Sequence, residues 1–182
     1  MTGTTNSLDG KKVAFLVAAE GIEQVELTEP WRAVQEAGGS PVLLSPERGT
    51  VQAFHHLDKA DTFEVDETVA DADPAVFHAL VLPGGVANPD ALRTHEGSVA
   101  FVRTMTQSGK PVAAICHAAW ALVEAGVLDG RTVTSWPSLQ TDVRNAGGTW
   151  VDEEVVVDGN LITSRKPDDL KAFTTALVDA LS

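Results

Sequence analysis

A single cysteine, Cys116, occurs in the 182 residues, and tyrosine is absent. One thiol excludes an internal disulfide and a multi-cysteine zinc cluster, and it is compatible with a reducing compartment. Basic residues are also scarce: 13 lysines and arginines stand against 26 aspartates and glutamates, a formal net charge of −13. Phosphate backbones are held by lysine and arginine patches, so this balance argues against a nucleic-acid partner and disfavours anionic membranes. No apolar run approaches the length of a membrane span. Residues 1–10 are polar, without the apolar core of an export signal, and are read as a flexible tail; the expected location is cytoplasmic. Internal repeats, low-complexity tracts and linkers are missing too, so residues 11–182 are expected to form one domain.

What is present is an alternation of buried strands and amphipathic helices. Lys12 to Ala18, Val42 to Leu44, Ala79 to Leu82 and Val112 to Ile115 are short, nearly continuous apolar runs, the pattern of strands covered on both faces. Leu27, Trp31 and Val34 share one helical face, ended by Gly38-Gly39, and Pro30 within it implies a kink or a late helix start. Val99, Val102 and Met105 mark a helix over about 96–108; Leu170, Phe173 and Leu177 mark a last one opened by Pro167. Residues 50–69 read as an excursion or hairpin rather than a crossover helix, and Asp158-Gly159-Asn160 between two β-type runs signals a hairpin. The expected fold is α/β, a mostly parallel central sheet with helices on both faces and a ligand crevice at the carboxyl ends of the strands. Three features fall at such ends: Glu20 to Glu23, Pro83-Gly84-Gly85, and Cys116-His117.

Cys116 follows a buried strand and precedes a helix whose apolar face includes Trp120 and Leu122. The first amides of a helix lack partners within it, and the dipole is positive there, so a thiol at that position is driven towards the nucleophilic thiolate. A strand-to-helix turn also presents its side chain for attack, the logic of a nucleophile elbow. Cys116 is therefore read as an exposed nucleophile. His55 and His56, with Asp58, form a short polar cluster that is assigned no metal, and no cofactor is called for.

The segments LVLPGG, PVAAICHAAW, AGVLDGRTVTSWP and DEEVVVDGNLITSRKPDDL together resemble the PfpI endopeptidase-like family. That family lies within the superfamily that includes the Parkinson-associated deglycase and has a class I glutamine-amidotransferase-like fold. The resemblance runs from about Lys12 to the C-terminus and implies a single-domain, flavodoxin-like three-layer sandwich. It matches Cys116 to the family nucleophile and His117 to the histidine after it. Glu23 is matched to the carboxyl that hydrogen-bonds the cysteine, and a carboxyl facing a thiolate in a desolvated site tends to keep its proton. The backbone amides of Gly85 and His117 match the oxyanion donors. Asp90 is matched, across a one-residue insertion at Asn88, to a carboxylate that completes a Cys–His–acid triad across a subunit interface. Trp136 stands where several members carry tyrosine near the pocket, so a hydroxyl role is absent there. Ala118-Ala119 replaces the common Gly-Pro, which implies a changed pocket beside Ala118. No histidine follows His117, which excludes the glutaminase arrangement.

The resemblance implies a stress-response protein whose cysteine acts on reactive carbonyls, as a glutathione-independent glyoxalase or protein deglycase. Two alternatives share the same thiol: a cysteine peptidase, and a redox-sensing or chaperone-like protein in which Cys116 is oxidised. The expected partners are small carbonyls or glycated or peptide substrates, and a second copy of the chain in a homodimer or larger homo-oligomer.

Overall fold

The computed structural model describes residues 7–182. In chain order the elements are β1 (Lys12–Leu16), β2 (Glu20–Glu23), α1 (Gln24–Glu36), β3 (Ser40–Ser45), β4 (Thr50–His55), β5 (Asp58–Glu64) and β6 (Glu67–Thr68). There follow β7 (Ala79–Leu82), α2 (Ala87–Leu92), α3 (Glu96–Gln107), β8 (Val112–Ile115), α4 (Ala119–Ala125) and β9 (Thr132–Val133). The chain closes with α5 (Gln140–Asn145), β10 (Thr149–Trp150), β11 (Val156–Asp158), β12 (Leu161–Ser164) and α6 (Leu170–Leu181).

Seven strands form the central sheet in the order β11-β12-β8-β7-β1-β3-β6. All its pairings are parallel except the β11–β12 hairpin. Alternation along β1 and the residue after it shows why helices cover both faces. Val13, Phe15 and Val17 enter one core with Val34 of α1 and Phe173 and Leu177 of α6. Ala14 and Leu16 enter the other, with Val102 and Met105 of α3 and Leu122 of α4. The molecule is thus an α/β three-layer sandwich. Among the described residues no helix is long and apolar enough to cross a membrane.

Several expectations are adjusted. Leu8 is fully buried, and its amide donates to the Ala37 carbonyl at 2.9 Å, so the end of the stretch read as a tail is docked on the fold. Its first six residues lie outside the described residues. Helix α1 begins six residues before Pro30, so a late start is ruled out. Glu20 to Glu23, expected only as the segment following the first strand, is itself a strand: β2 pairs with β4, which pairs with β5, and this small sheet stands beside the main one.

The order of strands creates the crevice. The chain steps from β1 to β3 on one side and later returns through β7 on the other, so the connections leaving β1 and β7 part company. Such a divergence opens a cleft at the carboxyl ends, and β8 lies next to β7 with its own carboxyl end alongside.

Candidate active site

Val112 to Ile115 is wholly buried, and the chain leaves it by a sharp turn at Cys116, whose φ is +63°. Left-handed backbone at a non-glycine residue is strained and persists only where the surroundings enforce it. Here the Cys116 carbonyl accepts a 3.1 Å hydrogen bond from the Trp136 amide, and one 3₁₀ turn, Cys116 to Ala118, leads into α4. The elbow expected from the sequence is present, but the exposure is not. Cys116 is 6% exposed and forms the floor of a cleft of about 590 Å³. Its Sγ lies 3.2 Å from Nδ1 of His117, and the backbone amides of His117 and Gly85 beside it favour negative charge on the sulfur.

The carboxyl that meets the thiol is Glu26, not Glu23. Helix α1 starts at Gln24, and Glu26, Pro30 and Val34 follow one another at four-residue intervals on its buried face. Glu26 is fully buried, accepts a 2.9 Å hydrogen bond from the Gly84 amide through Oε2, and stands beside the Cys116 side chain, its Oε1 without a hydrogen-bond partner among the described residues. Burial first, and the charge of Glu23 second, raise its pKa to about 8, so it holds its proton at neutral pH. Glu23 precedes the helix with extended backbone, and its carboxylate turns instead to the β4–β5 hairpin, accepting from the His56 amide at 3.0 Å. That contact holds His56 at φ +59° and draws the hairpin tip over the cleft.

Burial, and then the neighbouring Glu26, push the Cys116 thiol up, opposed by the two amides. The thiolate at rest expected from the helix terminus is therefore not supported: desolvation at the cleft floor outweighs the short turn of helix. Burial lowers the pKa of His117, which favours the neutral imidazole beside the sulfur. Trp136 stacks on the ring at 5.4 Å and 22°, and Trp120 meets it edge-on at 5.3 Å. The indole of Trp120 is tied by a 3.0 Å hydrogen bond to Asp142. The imidazole is thus gripped between two indoles.

The Pro83-Gly84-Gly85 turn after β7 supplies the remaining groups. Gly85 has φ +83°, and a Cβ there would strike the Gly21 carbonyl and lie 2.8 Å from the Glu23 amide. Asn88, fully buried, accepts from the Ala18 amide at 2.7 Å and donates to the carbonyls of Pro83 and Gly84 at 2.9 and 3.1 Å. It joins the end of β1 to this turn. Sequence reasoning passed over both Glu26 and Asn88. The four-residue spacing of Glu26 to Pro30 was the available signal for the first; none marked the second.

Of the other expected residues, Trp136 lines the cleft. Ala118 does not: it is 1% exposed and packs into the core, because the turn after Cys116 directs it away from the opening. Asp90 is exposed on α2, outside the cleft lining, and within one chain it completes no triad with His117. His55 is exposed outside the lining, whereas His56 borders the cleft.

This architecture is shared with known proteins. A model of the DJ-1/PfpI family matches residues 11–180. The chain is 46% identical over 170 residues to the deglycase PH1704 of Pyrococcus horikoshii, covering 93% of this chain and 99% of that one. It is 42% identical over 168 residues to general stress protein 18 of Bacillus subtilis, covering 90% and 94% respectively. The crystal structure of a mutant of the DJ-1 superfamily protein STM1931 from Salmonella typhimurium superposes with a TM-score of 0.85 at 30% identity. That match covers 94% of this chain and 90% of the other. With a matching family model over nearly its whole length and the same three-layer sandwich, the chain belongs to the DJ-1/PfpI family.

Proposed function

We propose that the protein is a cysteine-dependent enzyme acting on reactive carbonyls, of the glutathione-independent glyoxalase or deglycase type. The observation that carries this reading is the Cys116 thiol 3.2 Å from a neutral His117, with the protonated Glu26 on its other side and two amides directed at it. The relative named a deglycase, at 46% identity, supports the same direction.

With methylglyoxal, Sγ attacks the aldehyde carbon as His117 accepts the thiol proton, and the Gly85 and His117 amides stabilise the oxyanion. Return of that proton to oxygen gives a hemithioacetal. His117 and Glu26 are the groups able to move hydrogen from the former aldehyde carbon to the ketone carbon. The first carbon is oxidised to the acyl level and the second reduced to an alcohol, so the step needs no external oxidant. Water then cleaves the resulting thioester to lactate and regenerates the thiol. A glycated side chain would enter by the same addition.

The test is lactate formation from methylglyoxal without glutathione, in the wild type, Cys116→Ser and Glu26→Gln. Turnover in the wild type, abolished in Cys116→Ser and reduced at least about 100-fold in Glu26→Gln, is expected. No turnover in the wild type would overturn the carbonyl reading; a mass gain on Cys116 with peroxide would then favour redox sensing, and cleavage of a peptide library would favour the peptidase.

A further inference from the structure

The cleft that surrounds Cys116 is one-sided in charge. Its titratable side chains are Glu23, Glu26, His56 and His117, and among the described lining residues there is no lysine or arginine. The remaining walls are largely apolar, with Phe54, Leu57, Val86 and Trp136 among them. Arg165 and Lys166 adjoin the lining residue Pro167 in sequence, but both are engaged elsewhere. Arg165 pairs with Asp169 at 2.9 Å and Asp152 at 2.7 Å, and Lys166 lies 3.7 Å from Asp168. Glu26 is sealed in the floor beside Cys116 and bound to the Gly84 amide. Glu23 is only half-buried and faces the opening, its carboxylate anchored by the His56 amide.

A carboxylate or phosphate entering this cleft meets a fixed like charge, apolar walls and, among the described lining residues of this chain, no lysine or arginine to receive it. Water is partly excluded there, so the repulsion is screened less than at an open surface. The two oxyanion donors are neutral amides aimed at the thiol, and they cannot also bind a remote anionic group. We infer that the cleft is a charge filter in which Glu23 favours uncharged over anionic substrates at Cys116. The inference deepens the carbonyl reading and rests on it for the substrate class: uncharged dicarbonyls are accepted, and 2-oxo acids or phosphorylated aldehydes are disfavoured. Glu23 is a specificity residue here, since it need not touch the reacting atoms.

Alkylation of Cys116 tests the filter without requiring turnover. Iodoacetamide and iodoacetate are nearly equal in size; with either, sulfur displaces iodide, a C–S bond forms as C–I breaks, and the thiol proton passes to His117 or solvent. The ratio of the two rate constants, read by intact mass, is compared with that of a small free thiol at low ionic strength. The folded protein should prefer iodoacetamide about fivefold or more beyond the free thiol, and Glu23→Gln should remove most of that excess. Glutamine keeps an acceptor for the His56 amide. Asp179→Asn removes the same unit charge from an exposed site on α6 and should leave the ratio where it is.

A wild-type ratio equal to that of the free thiol would overturn the filter. So would an Asp179→Asn shift as large as that of Glu23→Gln, or a thiol that reacts with neither reagent. Turnover of methylglyoxal against 4,5-dioxopentanoate, which keeps the aldehyde beside a ketone and adds a carboxylate, should show the same preference. A biased alkylation ratio without methylglyoxal turnover rejects the carbonyl reading and leaves the filter standing. Turnover with an unbiased ratio does the reverse.

Discussion

Burial places the Glu26 carboxyl where its charge is penalised, and this has a thermodynamic consequence. Its pKa lies near 8 in the folded protein, against an ordinary value of 4.5. The raised value means that the folded state keeps a proton the unfolded chain releases between those limits. The stability associated with that proton is fully present below about pH 4.5 and is lost as pH rises towards 8. Glu26→Gln, which cannot ionise, should escape the loss. Its unfolding free energy relative to the wild type should therefore grow by roughly 4–5 kcal/mol between pH 4.5 and 8.5. Urea titrations of both proteins across that range check this, and parallel curves would show that Glu26 ionises freely. At the same scale lies the clearest limit of sequence reading. Glu23 and Glu26 are chemically identical and three residues apart; only the start of α1 at Gln24 turns one onto the buried face and leaves the other reaching for the hairpin.

At the scale of elements, the strand-to-turn junctions carry the chemistry. The Cys116 turn was legible because a buried apolar run, a cysteine and an amphipathic helix follow directly in sequence. The Pro83-Gly84-Gly85 turn was legible as a turn, but its close packing against Gly21 and Glu23 was not, since those residues come from a connection more than sixty positions away. Gly85→Ala tests that packing. A Cβ at φ +83° adds left-handed strain and a clash with the Gly21 carbonyl. The variant should lose about 2–4 kcal/mol of stability, and carbonyl turnover should fall by at least about tenfold as the amide is displaced. Thermal melts and lactate assays on the same preparation separate the two effects. Wild-type behaviour in both would mean that this amide is not held as the geometry requires.

Over the whole molecule, the 26 acidic and 13 basic residues produce a net charge of −13 that opposes the compact state through self-repulsion. The exposed ion pairs, such as Arg48–Asp71, offset little of it. Raising ionic strength from about 0.01 to 0.15 M shortens the Debye length from about 30 to 8 Å. The melting temperature should accordingly rise by about 2–4 °C, equivalent to about 1 kcal/mol for a chain of this size. Calorimetry at the two salt concentrations measures this; an unchanged or lower midpoint would show that local attractive pairs, rather than net repulsion, dominate.

The amino-acid sequence by itself determined the alternating buried strands, the helix faces and both hairpins. These are periodic patterns that arise from short-range geometry and from the removal of apolar side chains from water. It also determined the candidate nucleophile, because only one thiol exists. Tertiary structure decided which carboxyl faces that thiol, that Asn88 ties β1 to the Gly84 turn, and that Cys116 lies at the floor of a covered cleft rather than in the open. Each of these depends on contacts between residues far apart in the chain, and on a desolvation that exists only once the hairpin, the turn and the elbow have closed around one another.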